Sequence, residues 1–228
     1  HNDQVTIVFR DGLIEAKPKG LERLGTWGWS ANGHRSLREV RGLHMFNMWI
    51  ANNDVKEAGN NKLVFKRKKD DYEIYQFVHD LGFSFGRFSR EKPEDFPWNF
   101  VESSSDNHVD FKYYSFQENS GFDHVSYYDA KWMARKIGQL SRAQIAEAIA
   151  LGNWPEPVQK LLVEKLIARR NQMIEAFNLQ DEVGVLEFDR YLTTENAEVE
   201  NGHLKKIVYE GHSQDYGSEI HSVLQPIY

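Results

Sequence analysis

An α+β fold, mainly helical, is predicted for this chain on three observations. Apolar residues recur at helical spacing in four stretches after Ser36. Two strand-like runs, KLVFKR (62–67) and YEIYQFV (72–78), flank a polar KKDD turn. After Leu179 the pattern changes to VGVLEFDRYL and HLKKIVYEG around ENAEVENG, which predicts a second β-hairpin. A domain of residues 1–179 followed by a C-terminal β extension of 180–228 is therefore expected.

Taken in order, VTIVF (5–9) before Arg10-Asp11-Gly12 reads as a short strand and a turn. Residues 17–35, with Pro18, Gly20, Gly25, Gly28, Gly33 and two tryptophans, read as irregular packed loop. Ser36 and Glu39 match the capping-box spacing, so a helix is predicted over 36–51, with Leu37, Val40, Leu43, Phe46 and Ile50 at helical intervals. Its last turns, with Met45, Met48 and Trp49, are apolar nearly all round, as in a buried helix. Residues 87–128 read as a long, partly ordered connection with a short strand at VDFKYYSF (109–116). Three further helices are expected: Asp129–Leu140, one capped by Ser141 and Gln144 and stopping at Gly152, and one from Pro155 to Phe177.

Composition narrows the function classes. The apolar fraction of 40% and charged fraction of 27% belong to a globular chain rather than a disordered one. No apolar run approaches the roughly 18 residues that span a bilayer, so no transmembrane segment is expected. A net charge of −6 gives no general attraction to nucleic acid, and the basic KRKK (66–69) is followed at once by two aspartates. With no cysteine, disulfides and thiol chemistry are excluded, a composition compatible with a periplasmic or exported protein. The chain opens at His1 without methionine, which implies a processed form or a piece of a longer protein.

Chemistry concentrates in ANNDVKEAGNN (51–61) and in the end of the hairpin at His79-Asp80-Leu81-Gly82. Asp54, Asn60, Asn61 and Asp80 offer the hard oxygen donors that Mg²⁺ prefers, and Lys56 offers a cation for phosphate. The competing reading is a set of polar turns, since Asx side chains bond their own backbone. His44 and His79 are expected to be hydrogen-bonded core histidines rather than ligands. Trp27 and Trp29 either stack a base or sugar or, as favoured here, pack against the Ser36 helix. Arg169 and Arg170 are expected to meet the dipole at a helix C-terminus.

The order helix, D-V-K-E-A-G-N-N, hairpin, D-L-G resembles the C-terminal lobe of the protein-kinase-like superfamily. SLREVRGL (36–43), WIANNDVK (49–56), HDLGFSFG (79–86), DAKWMARKIGQLS (129–141) and LIARRN (166–171) are similar to runs in uncharacterised bacterial kinase-like proteins. The resemblance covers roughly residues 21–178. It implies an ATP- and Mg²⁺-dependent phosphotransferase, with a nucleotide and an acceptor as partners. Asp54 would be the catalytic aspartate and Lys56 the neutraliser of phosphate charge. Asp80 would bind metal, with Asn60 or Asn61 as the asparagine ligand, one residue later than the family's spacing, which falls on Gly59. No G-x-G-x-x-G precedes Ser36, so the chain alone is expected to turn over little nucleotide. Two alternatives stand beside this: a pseudokinase-like binding module without turnover, and an envelope-associated interaction protein using the aromatic 96–128 region as its contact surface.

Overall fold

A computed structural model describes residues 21–57, 61–69, 71–78, 81–85, 96–113, 121–152, 156–190, 197–200, 203–209 and 212–215. The strand expected at 5–9 lies outside these residues, as do His79, Asp80 and Asn60. The architecture is α+β. Helices α1 (Arg38–Trp49), α2 (Tyr127–Gly138), α3 (Arg142–Ala150), α4 (Glu156–Ala176) and the short α5 (Gln180–Val183) build the main core. Around them lie three antiparallel sheets: β1 (Leu21–Gly25), β2 (Asn61–Lys68) and β3 (Asp71–Val78); β4 (Val101–Ser105) and β5 (His108–Phe111); and β6 (Ala197–Glu200), β7 (His203–Tyr209) and β8 (His212–Asp215).

α4 organises the core. Every residue from Leu161 to Asn171 is buried, which a surface helix with one apolar stripe would not show. Met45 and Trp49 of α1, Ile137 of α2, Ile145 and Ile149 of α3, and Phe96 and Phe100 pack around it. The Trp49 indole donates to the Leu166 carbonyl at 3.0 Å, satisfying a polar atom that burial would otherwise orphan. A smaller cluster joins Trp27 and Trp29 to Val40 and Val55, so the tryptophan pair packs against α1 as favoured.

Of the helix starts, one is capped as expected, one carries a cap that was not expected, and one lacks the cap expected for it. Ser141 and Gln144 form a capping box at α3. Ser126 and Asp129 form another at α2, two residues earlier than the expected helix start. Ser36 caps nothing. It closes a 3-10 helix, Ala31–Ser36, and α1 begins at Arg38 behind an extended Leu37 with no side-chain cap. An N-cap residue needs extended φ/ψ, and the preceding turn holds Ser36 out of that conformation.

Three further expectations are corrected. Residues 21–25 are strand β1 rather than loop, with Leu21 opposite Lys66 and Gly25 opposite Leu63. That strand exists because β2 presents an edge to it, a long-range partner that no local pattern announces. The connection after Pro97 holds a β4–β5 hairpin around Asp106 and Asn107; β5 covers 109–111 of the strand expected at 109–116, a further strand, β4, precedes it, and 114–116 lie outside the described residues. VGVLEFDRYL does not form the C-terminal hairpin. Gly184–Asp189 runs extended along α4, where the Asn171 amide donates to the Leu186 carbonyl (2.7 Å) and accepts from its N–H (3.1 Å). Leu186 and Phe188 pack against the helical core, and the expected ENAEVENG turn contains strand β6.

Candidate functional site

α1 ends in a turn that aims the chain at Asp54. The Ala51 N–H bonds the Met48 carbonyl (3.1 Å) and the Asn52 N–H bonds the Asn47 carbonyl (2.9 Å), the paired bonds of a Schellman motif. Ala51 sits at φ 48°, a left-handed position usually held by glycine. α4 ends in the same way at Asn178, φ 52°, a residue better suited to that region.

Arg169 holds this turn in place. Its Nε donates to the Trp49 carbonyl at 2.8 Å, and its two terminal nitrogens donate to the carbonyls of Met48 and Pro97. The guanidinium centre lies 3.8 Å from the Phe100 ring centroid and 4.8 Å from that of Phe96. Burial pulls its pKa down to about 9, which leaves it charged at neutral pH. Arg170 treats α2 likewise, donating to Gly138 at that helix's last turn and to Val183 and Gly184 at the end of α5. The expectation that the two arginines meet their own helix's dipole is therefore corrected. α4 continues to Ala176, and each arginine binds the terminal carbonyls of a different helix.

Beyond Ala51 the loop is built from buried polar groups. Asn52 Oδ1 accepts from the Asp54 N–H (3.3 Å), an Asx turn, while its amide donates to Asn47 Oδ1 (3.2 Å). The Tyr113 hydroxyl donates to the Asn52 carbonyl at 2.6 Å. Asp54 is buried, and its Oδ2 lies 2.6 Å from Lys56 Nζ, whose side chain is 40% exposed. The turn reading and the functional reading thus describe the same residues, because the Asx turn sets the orientation of Asp54. Val55 enters the tryptophan cluster, and Glu57 accepts from the Trp29 N–H at 2.7 Å.

The hairpin returns to this loop. Asn61 pairs with Val78, so the open end of β2–β3 carries both Asn61 and the strand leading to residue 79. After Leu81 the chain packs beside α1, where the Phe85 N–H bonds the Ile50 carbonyl at 2.7 Å. Val78, paired with Asn61, packs on the cluster that contains Val55, the residue between Asp54 and Lys56. Asp80 and Asn60 themselves lie outside the described residues. The carboxylate and amide oxygens of the set are hard donors, so their chemistry fits Mg²⁺. Among the described residues no group of three or more His, Asp or Glu is placed to hold a metal ion.

Other residues of the quoted runs are structural. Arg41 grips Asp129 with two bonds (Nε–Oδ2 2.7 Å, Nη2–Oδ1 3.0 Å), tying α1 to the start of α2. The guanidinium, opposed by desolvation and aided by Ser126, holds the Asp129 carboxyl at about 2. His44 is half-buried, stacked on Phe122 with centroids 4.8 Å apart, and no described residue hydrogen-bonds its ring. That corrects the expected hydrogen-bonded histidine. Phe96 and Phe100 are fully buried and Phe111 packs on Phe100, which takes these aromatics out of the contact surface expected in 96–128. Comparison with family models, curated proteins and solved structures finds no match.

Proposed function

We propose that the chain is a kinase-like, ATP- and Mg²⁺-dependent phosphotransferase, or the C-terminal-lobe part of one. The observation that supports this reading is the buried Asp54 carboxylate held 2.6 Å from Lys56 Nζ, on the loop between α1 and the β2–β3 hairpin. Asp54 would accept a hydrogen bond from the acceptor hydroxyl and take its proton. Lys56, with its side chain partly exposed, would swing from Asp54 to the transferring phosphoryl group. Asp80 with Asn60 or Asn61 would hold Mg²⁺, which supplies charge neutralisation across the phosphates when bound.

The test is thermal unfolding of the chain with ATP and Mg²⁺, together and apart. A ligand of the folded state raises the unfolding temperature by mass action, so ATP with Mg²⁺ is expected to raise it more than ATP with EDTA. Asp80→Ala should abolish the difference while leaving the unliganded midpoint in place. No shift at millimolar ATP and Mg²⁺ would overturn the proposal. Little phosphate transfer is expected of the chain alone, so the discriminating outcome is a Mg²⁺-dependent shift that Asp80→Ala leaves in place, which would assign the chain to the binding-module class.

A further inference from the structure

We propose that the cavity between α1, the β4–β5 hairpin and the start of α2 binds a small, uncharged, flat aromatic molecule bearing one hydrogen-bonding group, which His44 engages. The cavity measures about 250 Å³, and its walls include His44, Met48, Val109, Phe111, Phe122 and Tyr127. An apolar cavity of about 150 Å³ takes benzene, so this volume suits a bicyclic ring. Aromatic rings and a thioether make the contacts that a flat π-system uses best.

The polar features select further. His44 is already stacked on Phe122, with 28° between the rings, and its nitrogens have no described partner. Burial lowers its pKa to about 4, so at neutral pH it offers one donor and one acceptor. Asn107 and the Tyr127 hydroxyl add neutral polar groups to the wall, while the remaining polar side chains are committed. Ser126 donates to Asp129 (2.7 Å), and His108, on the exposed rim, lies 2.8 Å from Asp110. Among the described residues no lysine or arginine lines the cavity, so against these walls an anionic ligand would be desolvated without a countercharge. A largely apolar pocket with a few neutral polar groups is the form a small-ligand site takes. The inference stands independently of the phosphotransferase reading, because none of these residues belongs to the Asp54 loop.

The test is calorimetric titration of the chain with 2-naphthol, which has the ring size and the single hydroxyl. Saturable one-to-one binding is expected, with 2-naphthoate at least about tenfold weaker because its charge must be buried. Val109→Phe and Ala130→Leu fill the space from opposite walls. Whichever of them retains the wild-type circular dichroism should weaken binding at least about tenfold, by steric exclusion. His44→Phe keeps the stack on Phe122 and should weaken 2-naphthol about two- to tenfold, the worth of one hydrogen bond, without weakening naphthalene. No saturation at about 1 mM 2-naphthol overturns the proposal. Equal affinity for 2-naphthoate, undiminished binding in the folded filling variant, or no effect of His44→Phe also overturns it.

Discussion

Replacing Arg169 with lysine is expected to cost this fold about 2.5 to 8 kcal/mol and to loosen the end of α1 before anything else. Arginine places donors on three carbonyls at once, those of Met48, Trp49 and Pro97. A lysine ammonium is a point donor on a flexible stem and cannot span the planar fork. If it keeps one acceptor, two buried carbonyls lose theirs, at about 1 to 3 kcal/mol each. Loss of stacking between Phe96 and Phe100 adds roughly 0.5 to 2 kcal/mol. Set against a typical total of about 5 to 15 kcal/mol, that loss is large enough to read in urea unfolding followed by circular dichroism. Hydrogen exchange locates it. The Ala51 and Asn52 amides, which close the turn after α1, should lose protection more than amides of the separately capped α3. A loss under about 1 kcal/mol, or loss of protection spread evenly over α1 and α3, would refute the assignment of Arg169 as the pin of that turn.

Two other perturbations follow from the geometry. Asp129, held at about 2 instead of 3.8, has a depressed folded pKa, so its stabilisation is present above pH 4 and lost as pH falls toward 2. The Asp129→Asn variant should be less stable than wild type by about 2 kcal/mol at pH 6, and the gap should close by pH 2 in paired urea titrations; a gap independent of pH would contradict the Arg41 pairing. A Cβ at Gly121 would lie 2.4 Å from the Trp29 Cβ, so Gly121→Ala is expected to destabilise by about 1 to 3 kcal/mol. An unchanged thermal midpoint would show that the Trp29 contact yields without cost.

What could be read from the amino-acid order was local. The Ser141–Gln144 cap, the β2–β3 hairpin and the long apolar α4 rest on interactions within a few residues of chain, or on a period that one helix must bury. The same locality placed Asp54 after a buried helix and put Lys56 on the same loop. Signals that depend on a distant partner were misread or silent. Ser36 has the letters of a cap, yet the 3-10 turn it closes holds it out of the extended conformation a cap needs. Arg169 and Arg170 look like the charged end of a helix, yet they sit inside α4 because the ends of α1 and α2 need donors there. Leu186 has the alternation of a strand, but Asn171 already occupies the place of its strand neighbour. Sequence by itself determined where most of the helices and a hairpin form and that Asp54 and Lys56 share one loop. Only the tertiary structure decided which backbone ends each arginine satisfies, because a buried carbonyl must find a donor wherever the packed chain brings one within reach.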